Sequence, residues 1–497
     1  MTRSTRTPRE VWLDRGLHAF AIVFGLMVWW PTRELPYHWD SATFVVDSAR
    51  DLLATGFHPL VATHSDFAHP PLFVALLALA WKLFGESRLV AHLLVLPALP
   101  AAMMATYRLG VWLGDRTLGV AAALLFGGVA VVVAEYGQIY MDLPIAALLA
   151  WGLVAWVHER RALAGVLFCA AALMKIPAPL TVPAALLVVT AARRESRRDP
   201  RAYASLLAPI VAVAVWLAYH AAVTGWVLWR PGRIVAAPQG LEAHAQALWT
   251  VLAWLMLGQW RWVLFAAAGV SLAWLRFGDR CHAHDRRNAP RLALRPLAPL
   301  AAPLLVGWLF FGAVGEFGLR YGIYLLPPYL LLTLACVRAA LPRSAPFTLG
   351  ATALFALFVT TWHPRMALTS TYSFRPDENL AYLDVIDIGL RSAHWLEQKH
   401  PDAEIYGAGP EAYQLPEPWQ GYVDAPLDFR WCITFARHPG VTQIVYVHGY
   451  HRQQLMCRRI VEALGAKPVK HFEANGKWLE LYLVPPVEPQ EEGAGTK

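Results

Sequence analysis

"YHWDSATFVVDSARDLLATG", residues 37–56, decides how the chain is read. It follows the first long apolar run, residues 17–31, and it places a carboxylate, Asp40, beside the indole of Trp39. Beyond Asp40 the residue types separate at helical spacing. Phe44, Val45, Ala49, Leu52 and Leu53 fall on one face, with Asp47, Arg50 and Asp51 opposite. A helix of this kind lies on a membrane surface. The stretch therefore predicts a chain that leaves the bilayer and holds a carboxylate at the point of exit.

The composition agrees. Of 497 residues, 57% are hydrophobic and 16% charged, and the mean hydropathy is +0.39. A soluble protein of this size would expose too much apolar surface, so the chain is expected to be an all-α polytopic membrane protein. The 22 Trp and 17 Tyr suit two interfacial aromatic belts. The net charge of +8 comes from arginines in short loops, which is a topology signal and not a nucleic-acid footprint. No small-residue cleavage site follows "MVWWPTREL", so the first helix is expected to stay attached.

Eleven apolar runs qualify as spans: 17–31, 89–109, 117–134, 143–157, 162–176, 178–192, 203–222, 260–275, 297–314, 322–340 and 346–362. The runs 70–85 and 241–258 are expected to be interfacial or re-entrant; counted as a further pair of spans they give 13. The basic segments "TRSTRTPRE", "HERR", "RRESRRDPR" and "RFGDRCHAHDRR" then all face the cytoplasm. The expected organisation is a membrane domain over 1–365 with a first outer loop at about 32–88, an extracytoplasmic α/β domain over 378–485 and a flexible tail over 486–497. Within the α/β domain, "AEIYG" and "TQIVYVHG" read as strands, "SAHWLEQKH" and "RQQLMCRRIVEALG" as helices. "PVKHFEANGKWLELYLV" reads as a hairpin turning at Asn475-Gly476. Of the five cysteines only Cys432 and Cys457 are placed to pair, and the sequence leaves open whether they do.

This topology puts Asp40, His69, Asp142 and Arg320 on the non-cytoplasmic side, at helix ends. Ionisable groups held against a bilayer are costly and imply a task. An arginine at the outer interface suits a lipid phosphate, which it can bind with two parallel hydrogen bonds. A carboxylate nearby can take the proton from an attacking hydroxyl. Together these types point to sugar transfer from a lipid-linked phosphate.

"HWDSATFVVDSARDLL", "HPPLFVALLALAWKLFGES", "YMDLPIAALLAWGLV", "AALMKIPAP" and "LRYGIYLLPPYLLL" occur in that order. Together they resemble the GT-C superfamily of membrane glycosyltransferases. The nearest likeness is to bacterial relatives of the dolichyl-phosphate-mannose protein mannosyltransferases and of the lipid A aminoarabinose transferase. The resemblance covers residues 1–365 and implies the GT-C fold, a polyprenyl-phosphate sugar as donor, and transfer with inversion to an extracytoplasmic lipid, glycan or protein. It implies Asp40 as catalytic base and Asp142 as its acidic partner. It places Lys175, Arg320 and Tyr321 at the donor phosphate, and His69 beside them where the aminoarabinose branch often carries lysine before Pro-Pro-Leu. The expected location is the bacterial plasma membrane, with the N-terminus cytoplasmic. The implied partners are the bilayer, the donor lipid and an acceptor, with no nucleic acid.

Plainer readings stand beside these. Asp40 can cap the helix that follows it, and Asp142 can merely begin one. Lys175 and Arg320 can be interfacial anchors. His58, His64 and His69 share the first loop with Asp66, which leaves a divalent metal open, although the spacings match no ordinary helical ligand pair. "CHAHD" at 281–285 invites the same thought from within a basic loop. A transporter or flippase for lipid-linked sugars is the alternative function. It would place polar groups near the midplane, whereas here they gather at the outer helix ends.

Overall fold

The computed structural model describes residues 8–61, 69–193, 197–228, 240–277, 294–315, 318–341, 344–363, 378–449 and 455–485. His64, Asp66, the "CHAHD" segment and the tail 486–497 lie outside the described residues.

Every run expected to span falls on a helix. Four helices are long and apolar enough to cross a membrane unaided: Arg88–Trp112, Pro200–Thr224, Leu297–Val314 and Leu319–Ala340. Two bent pairs raise the number to six, and five shorter apolar helices accompany them. This is an integral membrane protein whose apolar runs are more broken than eleven straight spans would be.

The breaks shape the interior. Arg116–Gly128 and Ala130–Tyr136 meet at 65°, and Leu241–Leu257 turns by 82° into Arg261–Leu275. Broken helices leave backbone groups without partners, which hydrocarbon does not tolerate. The second break supplies side chains to both. Gln259 Oε1 accepts the Ala130 N–H at 3.2 Å. The guanidinium of Arg261, wholly buried, donates from Nε to the carbonyls of Trp254 (3.1 Å) and Leu255 (3.2 Å). The run 241–258, expected to be interfacial or re-entrant, is thus one arm of a bent pair with the expected span 260–275.

Small residues let helices meet closely. A Cβ on Gly110 would fall inside contact distance of Gly119, and one on Gly119 would lie 2.6 Å from the Tyr107 carbonyl oxygen. The helices Ala98–Trp112 and Arg116–Gly128 therefore touch backbone to backbone.

The amphipathic helix Val46–Ala54 packs its apolar face on protein. Its buried positions are Val46, Ser48, Ala49 and Leu52. It packs against Leu72–Phe84, which buries Phe73, Val74, Leu77, Ala78 and Trp81. Phe44, assigned to the apolar face by spacing, is 37% exposed.

The C-terminal region forms a five-stranded sheet of order β2-β1-β3-β5-β4, with β1 Glu404–Gly407, β2 Asp428–Trp431, β3 Gln443–His448, β4 Pro468–Ala474 and β5 Lys477–Leu483. β1 pairs in parallel with β2 and β3, and β5 runs antiparallel to β3 and β4. The β4–β5 hairpin turns at Asn475-Gly476, both at positive φ (49° and 73°), as the sequence predicts. β2 went unexpected, since "DFRW" is short and alternates weakly. The helix Tyr382–Lys399 covers one face, burying Tyr382, Ile386, Ile388 and Leu396 against Ile405, Ile444 and Tyr446. Cys432 and Cys457 are disulfide-bonded, with Cα atoms 5.5 Å apart.

Candidate active site

Four backbone devices converge on one cavity. First, the chain enters through Asp40, at the head of a single π-type turn, Ser41–Val45. The Asp40 carboxylate accepts no hydrogen bond from that turn, so it does not cap it. Second, the break at Val129 redirects Ala130–Tyr136 and delivers the loop that carries Tyr140 to the start of Asp142–Val157. That loop is tied to the first segment: Ser41 Oγ donates to the Ile139 carbonyl at 3.4 Å, and Tyr140 Oη to the His38 carbonyl at 3.3 Å.

Third, Pro70 and Pro71 have no N–H, so Leu72 makes the first available bond, to the Leu173 carbonyl at 3.0 Å. This fastens His69 beside the turn that carries Lys175. Fourth, Pro327 and Pro328 cannot donate to the carbonyls four residues earlier. The preceding segment, Leu319–Leu325, tightens into a 3-10 helix, with Leu326 N–H bonded to the Ile323 carbonyl. That tight turn holds Arg320 and Tyr321.

The side chains interlock. Arg320 pairs with the Asp40 carboxylate through Nη2, and its Nε lies 4.0 Å from Asp142 Oδ2. Lys175 Nζ donates to Asp142 Oδ1 at 2.7 Å and sits 4.1 Å from the centre of the Tyr321 ring. The guanidinium carbon of Arg320 lies 4.7 Å from the Tyr140 ring centre and 5.2 Å from that of Tyr321. Two carboxylates and two cations thus balance, 6–7% of Arg320 being exposed and 30% of the Asp40 side chain.

His69 closes one side. Burial pushes its imidazole down to about 3, and neighbouring Lys175 works in the same direction. It is neutral at physiological pH, able to offer an N–H but no charge. Among the described residues no group of three or more His, Cys, Asp or Glu is placed to hold a metal.

The cavity has a volume of about 620 Å³. Asp40, His69, Asp142, Lys175 and Tyr321 line it, and Arg320 reaches it through its pairs with both aspartates. Phe310, Phe311 and Val314 of the helix Leu294–Val314 form an apolar wall. All six residues singled out in the sequence are therefore neighbours, although 280 positions separate Asp40 from Arg320. Asp142, expected as the acidic partner of Asp40, is engaged with Lys175 and with Arg320, which also holds Asp40. Sequence reasoning missed Tyr140, although it adjoins the "MDLP" motif. It also missed Tyr413, a lining residue from the C-terminal region that no motif marked.

The architecture matches solved structures at the level of the fold. The fold is that of the GT-C membrane glycosyltransferases. ArnT from Cupriavidus metallidurans bound to undecaprenyl phosphate superposes with a TM-score of 0.57 at 13% identity, over 94% of this chain and 98% of that one. The apo state of the same protein gives 0.55 at 12% identity, with the same coverage. No protein-family model matches the chain, and no characterised protein matches it by sequence.

Proposed function

We propose that the protein is a glycosyltransferase that moves one sugar from a polyprenyl-phosphate donor to an acceptor on the non-cytoplasmic face. The observation that carries this reading is the cavity itself: a charge-balanced Asp40–Arg320–Asp142–Lys175 cluster beside an apolar wall. A polyprenyl phosphate needs both surfaces, an apolar one for its first isoprene units and a cationic one for its headgroup. The ArnT likeness supports the choice of lipid, since that structure holds undecaprenyl phosphate.

The chemistry is an in-line displacement. The acceptor hydroxyl oxygen bonds to the anomeric carbon, and the bond from that carbon to the phosphate oxygen breaks. The electron pair leaves with the polyprenyl phosphate, and the hydroxyl proton goes to Asp40. Arg320 and Lys175 offset the charge growing on the departing phosphate. Tyr321 holds both cations over its ring and hydroxyl, and Asp142 fixes their positions. Neutral His69 contributes an N–H.

In the structure Asp40 occupies the guanidinium that the phosphate requires. Donor binding therefore competes with Asp40 for Arg320 and releases the carboxylate to act as base. The base is free only when a donor is present.

The test is binding of undecaprenyl phosphate to the purified protein in lipid nanodiscs, followed by native mass spectrometry. One bound lipid, weakened in Arg320→Ala, is expected; absence of binding would remove the basis of the reading. For sidedness, a reporter fused after Lys497 should be active only outside the cytoplasm.

A further inference from the structure

One cavity residue does not belong to the membrane helices. Tyr413 lies in the short helix Glu411–Gln414 of the C-terminal region, which is anchored across the top of the site. Gln414 Nε2 donates to the Tyr37 carbonyl at 3.1 Å. Gln420 Nε2 donates to the Ala42 carbonyl at 3.1 Å, and Tyr37 N–H to the Gln420 carbonyl at 3.1 Å. These bonds clamp the helix onto the segment that carries Asp40. Glu411, Gln414 and Leu415 are buried and fix the backbone, while Tyr413 is left half-buried and facing the cavity.

Tyr413 belongs to none of the hydrophobic clusters, and among the described residues its hydroxyl has no hydrogen-bond partner. An aromatic neighbour is Trp431, edge-on at 6.1 Å and 80°, itself 40% exposed. Tyr413 thus stands at the cavity with an open hydroxyl, and the Trp431 ring stands beside it. Aromatic side chains kept out of a core, beside a cavity, mark binding surfaces.

Resting on the proposed transfer reaction, we infer that Tyr413, backed by Trp431, positions the acceptor, and that the acceptor presents a saturated sugar ring there. The division of the cavity favours this class. Phe310, Phe311 and Val314 already supply an apolar wall within the membrane helices for a lipid chain. Arg320 and Lys175 supply the anion site. The helix that carries Tyr413 packs instead on the turn Ser41–Val45 that follows Asp40, on the side where the attacking hydroxyl must lie. A pyranose has an apolar C–H face that packs on an aromatic ring and hydroxyls at its edge that the phenol can meet. Tyr413 is thus a positioning residue, acting on where the nucleophile sits and not on its proton.

The test uses the full-length protein in nanodiscs loaded with undecaprenyl phosphate. Methyl glycopyranosides of glucose, galactose and mannose serve as probes in saturation-transfer NMR. Ring C–H protons of at least one glycoside should receive saturation from the parent. Tyr413→Ala should cut that signal by about fivefold or more, the share an aromatic contact carries, while Tyr413→Phe retains most of it. Undecaprenyl phosphate affinity and the melting transition should be the same in all three proteins. No saturation in the parent, or equal saturation in Tyr413→Ala, overturns the inference. Failure of Arg320→Ala to weaken undecaprenyl phosphate binding is a different result: it would strike the donor reading and leave the glycoside result to be judged separately.

Discussion

Removal of Arg320 separates its two tasks. In the resting structure the guanidinium holds Asp40 and approaches Asp142. Arg320→Ala leaves two carboxylates facing Lys175 alone, so the site changes from balanced to net negative. A charged group stripped of its partner in a buried site costs about 1–3 kcal/mol or more. With 30% of the Asp40 side chain exposed, water relieves part of this, and a loss of about 2 kcal/mol is expected. The donor phosphate loses a charge-assisted hydrogen bond of about 1.5–3 kcal/mol, which is about 10–150-fold in affinity. Asp40→Asn added to Arg320→Ala restores the charge balance. It should therefore recover most of the stability and little of the binding. Arg320→Lys should recover only part of the binding, because an ammonium cannot make the planar two-pronged contact. The assay is thermal unfolding together with undecaprenyl phosphate titration for the parent and three variants in one nanodisc composition. If Arg320→Ala binds the lipid as tightly as the parent, the phosphate site has been misplaced.

Three further outcomes check the structure around the site. Gly110→Val should lower the melting temperature markedly, because the added methyls have no room against Gly119; a neutral effect would disprove the close helix crossing. Replacement of Cys432 and Cys457 by serine should cost about 3.5 kcal/mol, the loop-closure estimate for a separation of 25 residues, read by chemical denaturation of the C-terminal region's signal. His38, buried against Tyr382, is pushed down to about 4 by burial, an effect that Glu411 and Asp40 oppose and Arg320 reinforces. The unfolded chain then binds a proton near pH 6.5 that the folded chain refuses until about pH 4, so stability falls with pH across that window and levels off below it. From pH 7 to pH 5 the loss from this group is about 2 kcal/mol, and His38→Gln should show a correspondingly shallower slope.

Much of the fold was readable because apolar length is a strong signal. Each run long enough to span became helical, the run 117–134 as two helices, and Asn475-Gly476 announced its hairpin. The charged residues were findable for the same reason: an aspartate or arginine at the end of an apolar run stands out, and parity alone put Asp40, His69, Asp142 and Arg320 on one side. Their pairing was not readable, since nothing local shows that Lys175 takes Asp142 while Arg320 takes Asp40. The helix breaks were half visible. Gly127-Gly128 precedes Val129, but the acceptor that makes the break tolerable is Gln259, 129 positions from Ala130. Tyr413 had no signal at all. It acquires its place only because Gln414 and Gln420 bond to the backbone of Tyr37 and Ala42, and such long-range side-chain bonds leave no period in a sequence.

The account stands most directly on one reaction. The parent protein and Asp40→Asn, each in nanodiscs, are offered a panel of undecaprenyl-phosphate sugars with a cell-envelope extract as acceptor, and the products are followed by mass spectrometry. The parent should release undecaprenyl phosphate from one donor and add a single sugar mass to an acceptor. Asp40→Asn should bind that donor but transfer it about 10²–10⁴-fold more slowly, the usual cost of a lost general base. Transfer by Asp40→Asn at the parent rate, or no donor consumed by the parent at all, would contradict the mechanism.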